Sequence, residues 1–283
     1  MLILSSISKY FSILLLLIFQ QFLYAHGDLD IRISDASIAI EQNPDSAFLY
    51  LNRAELHYQH EEYQLASIDF HQCYQLNYTD VRVHLGLSKA LLKLRQYEES
   101  IQYVDKILAT DSKHVVALRL KGDILFEINQ FETAAQHYEL VIQYADKTFT
   151  ENYLEAAHAW QNSNAENKLE LSVQILQKGI ENLGDLMVFY QTITELYEKH
   201  SNLDIAIQYQ TKVIELSNRK EFSYVKRAQL YQLKGDIIAA KNDLMAAKSA
   251  IKQLPPSKQN QSAIVALLAN VLETEQLLNP LNN

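Results

Sequence analysis

The chain has 283 residues, of which 48% are hydrophobic and 21% charged, with only six Gly and four Pro. So few helix breakers leave little room for hairpins or long irregular loops, and that apolar content excludes a disordered polypeptide. The formal net charge of −9 argues against a nucleic-acid partner, which needs clustered Lys and Arg, and against docking on anionic lipid.

The first element, residues 1–25, reads as a signal peptide. Lys9 supplies a basic start, "YFSILLLLIFQQFLYA" supplies the apolar stretch, and Ala25 and Gly27 are small residues suited to cleavage. The Gln20-Gln21 pair interrupts a run already shorter than the roughly 20 apolar residues that span a bilayer, so the retained anchor is the second reading. Losing this segment removes Lys9 and no acid, which takes the charge from −9 to −10. The expected setting is periplasmic or secreted, without membrane insertion of the mature chain. A single cysteine, Cys73, allows no internal disulfide, so stability must come from packing.

From residue 29 the pattern repeats. Bulky residues that should open the second helix of each pair fall at Leu29, Tyr63, Tyr97, Phe131, Leu169, Leu203 and Ile237, at intervals of 34, 34, 34, 38, 34 and 34. Three positions later come Arg32, Ala66, Ser100, Ala134, Ser172, Ala206 and Ala240; ten later come Ala39, Cys73, Ile107, Val141, Gly179, Val213 and Ala247. Nine before the anchors, in the preceding helix, stand Ala54, Ser88, Gly122, Thr194 and Ala228. Steps of three and four put such residues on one helix face, small ones where neighbouring helices approach closely. The extra residues of the 38-residue interval fall in the polar stretch "QNSNAENK" (161–168), read as a loop. The last element, 257–278, is an apolar helix suited to cover the end of the stack.

In "LYLNRAELHYQHEEYQLASIDF", "LRLKGDILFEINQFETAAQHY" and "YVKRAQLYQLKGDIIAAKNDL" the chain resembles the tetratricopeptide repeat, from about residue 29 to 254. The tryptophan usual early in the first helix is replaced by Tyr50, His84 or Leu118, which marks drifted repeats. The resemblance implies an all-α, right-handed α-α superhelical solenoid of about six helix pairs, a single domain over 26–283. Its parts would be a half-repeat at 29–46, repeats at about 47–80, 81–114, 115–148, 149–186, 187–220 and 221–254, and the capping helix 257–278.

No Ser-His-Asp arrangement, phosphate-cradling glycine loop or nucleotide fingerprint is present, so no enzymatic activity and no cofactor are expected. Cys73 occupies the slot held elsewhere by Ala39, Val141, Val213 and Ala247, and reads as a packing residue. His57 and His60, three apart, with His71 in the next helix, could begin a zinc site only if a third ligand converged. His57 shares its slot with Leu91 and Leu125 and reads as packed, His60 as solvated near a turn. Cleavage after Ala25 would leave His26 first, where amine and imidazole can chelate copper(II). Metal handling through His26 or the His57–His71 region is therefore the alternative reading, and no residue is assigned as a metal ligand.

The resemblance further implies that first helices line a concave groove where a protein or peptide docks. Tyr58, Leu92, Phe126 and Trp160, each 34 residues after the last, form its expected apolar stripe, with Trp160 as a half-exposed anchor. Arg82, Lys89 and Lys93 share a helix face, and with Arg119 they are the expected selectors of acidic groups. Members of the family that hold chaperone tails carry Asn where this chain has Glu55, which disfavours that ligand class. The reading is an exported scaffold or adaptor; the sequence carries no signal for its partner's identity or its oligomeric state.

Overall fold

The computed structural model describes residues 28–278, and all their regular structure is helical. They fall into two compact units that divide after Gln130. The first holds α1 (28–42), α2 (Ala47–Gln59), α3 (Tyr63–Gln75), α4 (Val81–Lys93), α5 (Tyr97–Thr110) and α6 (Val115–Glu127). The second holds α7 (Phe131–Tyr144), α8 (Thr150–Asn162), α9 (Lys168–Leu183), α10 (Met187–Lys199), α11 (Leu203–Leu216), α12 (Glu221–Lys234), α13 (Ile237–Gln253), the single turn α14 (Pro256–Gln259) and α15 (Ser262–Leu278). Tyr63, Tyr97, Phe131, Leu203 and Ile237 each open a helix, and Leu169 is the second residue of one. The proposed signal segment lies outside the described residues, and no helix within them is long and apolar enough to cross a membrane.

Helices α2, α4, α6, α10 and α12 stop where a residue enters the left-handed region. Glu61, Arg95, Asn129, Ser201 and Gly235 have φ of 63°, 60°, 61°, 60° and 86°. After α4, Arg95 N–H donates to Leu92 O and Gln96 N–H to Leu91 O, the paired bonds that close a helix on a left-handed residue, and the other four turns repeat them. Only one of these positions carries Gly, so the others hold a side chain against a steric cost of about 1–2 kcal/mol. Arg95 is exposed, and Arg95→Gly should therefore stabilise the chain by about 0.5–1 kcal/mol, read as a higher urea midpoint. An unchanged or lower midpoint would mean that the added chain entropy outweighs the relieved strain.

The turn after α8 departs from this series, and from the expectation of a loop over 161–168. Gln161 and Asn162 still belong to α8, Gln161 and Ser163 are buried, and Lys168 already begins α9. The turn is thus 163–167 against 94–96 after α4, Lys168 adds a residue to α9 ahead of Leu169, and the turn 145–149 after α7 is one longer than 111–114 after α5, which together place the four extra residues. Gln161 accounts for the difference: its amide lies 3.2 Å from His200 Nε2, which gives a polar residue a reason to be inside.

The small residues sit where helices meet. Ala54, Ala66, Ser88 and Ser100 are fully buried; the Ser88 and Ser100 hydroxyls are 2.8 Å apart, and Ser100 Oγ donates to Ser88 O at 2.7 Å, joining α4 to α5. Leu51, Phe70, Cys73, Leu87 and Leu91 build the main core of the first unit. In the second, Val271 and Leu278 of α15 pack with Ala240, Leu244 and Ala247 of α13, the covering role expected of that helix.

Candidate functional site

In the first unit α2 and α4 lie side by side, and the cleft between them holds a pocket of 230 Å³. Its lining comes from Glu55, Tyr58 and Gln59 of α2, Phe70 of α3, and Arg82, Leu85, Gly86 and Lys89 of α4. Repeat geometry brings these together: residues three and four apart on each first helix share a face, and Gly86 has no Cβ to close the floor. Phe70 is 1% exposed and its ring fills the space a Gly86 side chain would take. Tyr58 is half-buried against the core, its ring edge-on to Tyr63 at 5.3 Å. Burial holds its phenol above the ordinary value, so it stays protonated at neutral pH and presents a hydroxyl.

The basic residues divide. Arg82 is exposed and already answered: its guanidinium is 3.0 Å from Asp80, which also accepts from Arg82 N at 2.8 Å as the cap of α4. The hydrogen bonds from Arg82 hold the Asp80 carboxyl below its usual range. Lys89 is half-buried on the pocket wall, Lys93 exposed at the last turn of α4, and Arg119 half-buried on α6.

Of the expected stripe, Tyr58, Leu92 and Phe126 occupy the last turns of α2, α4 and α6 in the first unit, and all are half-buried. Leu92 packs on the Val104, Ile107, Ala117 and Ile124 cluster. Trp160, in the second unit, corrects the expectation of a half-exposed ring. It is 7% exposed, and its indole N–H donates to Glu139 Oε1 at 2.5 Å. A buried indole needs such a partner, and Glu139 on α7 supplies it. Sequence reasoning missed Gln59, Phe70 and Gly86 as pocket residues. The signal for Gly86 was available: a mid-helix Gly costs about 1 kcal/mol against Ala and implies close approach.

His57 and His60 share Glu62, and His71 is engaged apart from them. His57 is buried with Nδ1 2.6 Å from Glu62, while His71 Nδ1 meets Ser67 O at 2.8 Å and its Nε2 lies 3.3 Å from both Glu99 and the Tyr103 hydroxyl. His60 is less solvated than expected, its side chain 18% exposed and 3.3 Å from Glu62, because the turn folds it toward Asp30 of α1. Among the described residues no group of three His, Cys, Asp or Glu is arranged to hold a metal; His26 lies outside them. Cys73 is fully buried, its Sγ 3.3 Å from Ala47 O, and burial pushes its thiol up to about 12, which leaves no thiolate for chemistry at neutral pH.

Residues 85–147 match the family profile of the tetratricopeptide repeat. Among solved structures, the C-terminal part of a TPR repeat-containing protein from Cytophaga hutchinsonii is similar at 18% identity and a TM-score of 0.66, over 88% of this chain and 97% of that one. A tetratricopeptide repeat protein from Parabacteroides merdae aligns at 17% identity and a TM-score of 0.53, over 87% of this chain and 93% of that one. MamA from Desulfovibrio magneticus RS-1 aligns at 22% identity and a TM-score of 0.51, over 60% of this chain and 94% of that one. These likenesses fix the architecture, one that supports protein–protein interaction in general. Repeat register, helix pairing and comparisons agree that this chain has the tetratricopeptide-repeat fold.

Proposed function

We propose that the protein is an exported, non-enzymatic scaffold that docks a protein segment or peptide in the cleft over α2 and α4. The observation that carries this reading is the pocket itself: an aromatic floor from Phe70, a half-buried phenol from Tyr58 and a cationic wall from Lys89. Apolar surface with a few convergent polar groups is what a docked side chain needs. Leu92 and Phe126 continue the register of Tyr58, and Lys93 and Arg119 flank it, so a longer segment would run across α4 and α6. Trp160 is assigned to packing. Export rests on the composition of residues 1–25, and amino-terminal sequencing of the processed protein should begin at His26 or Asp28; an intact Met1 would reject cleavage.

The docking test starts from a partner captured on the immobilised protein from its native envelope fraction. Tyr58→Ala should weaken that partner by about 1–3 kcal/mol, while circular dichroism and the thermal midpoint show the fold retained. Equal affinity for the variant, measured by calorimetry, would remove the cleft from the interface.

A further inference from the structure

The pocket holds two opposite charges that no described residue pairs. Glu55 on α2 and Lys89 on α4 are half-buried and line the same space, and neither makes an ion pair or hydrogen bond among the described residues. Three other partly buried lysines are answered by carboxylates, Lys121 by Asp105, Lys226 by Glu198 and Lys248 by Glu275, each at 2.6 Å. Arg82, the third charge on the wall, already has Asp80. Partial burial weakens hydration of a charge, and a partner normally offsets the loss. Here two such charges face one cleft without pairing to each other.

We infer that the pocket reads a pair of opposite charges: a carboxylate against Lys89 and a basic group against Glu55, carried side by side on the docked peptide. This rests on the docking reading above and narrows its chemistry. A purely acidic segment would satisfy Lys89 but press a carboxylate against Glu55, and a chain of net charge −9 repels it further. A purely basic segment has the converse fault at Lys89. A neutral one would leave both charges desolvated. Only a dipolar pair answers both, with the Tyr58 and Phe70 rings taking the aliphatic part of the basic side chain.

The test is selection from a random ten-residue peptide display library on the full chain, followed by fluorescence anisotropy of the enriched peptides. Enriched sequences should place Lys or Arg within a few residues of Asp or Glu. Glu55→Gln and Lys89→Met, which break no internal bond, should each weaken such a peptide about three- to tenfold, with the thermal midpoint unchanged. Glu55→Gln should also move preference toward acid-only sequences, and Lys89→Met toward basic ones. Enriched peptides of a single charge sign, or affinities untouched by both variants while Tyr58→Ala abolishes binding, would overturn the charge-pair inference and leave the docking site standing. Binding indifferent to Tyr58→Ala, or no enrichment at all, would overturn the docking reading and this inference with it.

Discussion

Asp69→Ala should lower stability by about 3 kcal/mol. Asp69 is 3% exposed and accepts two parallel bonds from Arg53, Nε at 2.7 Å and Nη2 at 2.8 Å, while Arg53 Nη1 donates to Ser37 Oγ at 3.0 Å. One guanidinium therefore ties α1, α2 and α3. Removing the carboxylate leaves a partly buried cation with only the Ser37 hydroxyl and the Tyr50 ring, 5.8 Å away, for company, which sets the cost. The lower end of the range for broken buried pairs applies because the Arg53 side chain is 22% exposed and can reach water. Replacing both partners, as Arg53→Met with Asp69→Leu, should cost far less than Asp69→Ala, since no charge is stranded. Urea unfolding of the three variants decides it. A double variant as unstable as Asp69→Ala would show that the pair contributes by attraction rather than by avoiding an unpaired charge.

The second unit repeats this clip. Arg227 donates to Asp243 at 2.7 and 2.8 Å and to Thr211 Oγ1 at 2.9 Å, with the same offsets of 16 residues on either side. It shows where sequence reading stops. The all-α class and the openings of the second helices were legible because packing of helix on helix demands small and bulky residues at fixed phase, as at Ala54, Ser88 and Ala228. The clip was not, because its slot carries Leu87 and Ile193 as well as Arg53, Lys121 and Arg227, and a slot of mixed character has no hydrophobic period and no signal for the carboxylate 16 residues on. Trp160 misled for a related reason. Its register on a first helix indicates which way a side chain leaves the backbone, whereas its burial depends on neighbours such as Glu139, which do not follow from a 34-residue period. Single charges such as Glu55 and Lys89 were legible as positions, but their lack of partners is a property of three-dimensional neighbours.

Gly86→Ala should destabilise the first unit even though Ala is the better helix former. A Cβ at Gly86 would lie 2.2 Å from Phe70 Cζ and 2.4 Å from its Cε1, far inside van der Waals contact. Helix propensity favours the substitution by about 1 kcal/mol, and overpacking opposes it by about 1–3 kcal/mol. Overpacking wins here because Phe70 is 1% exposed and held within the cluster of Leu51, Leu87 and Leu91, so its ring can give way only toward the cleft. Phe70→Leu alone should cost stability through the space it vacates, yet combined with Gly86→Ala the new methyl fills part of that space. The double variant should therefore be more stable than the sum of the single losses predicts, with a coupling of about 1 kcal/mol or more in a double-mutant cycle. Because both residues line the cleft, Gly86→Ala should also weaken any peptide that depends on Tyr58. Additive losses in the cycle would mean that the ring yields without strain, and the floor of the pocket would then be softer than the packing of Phe70 against Gly86 implies.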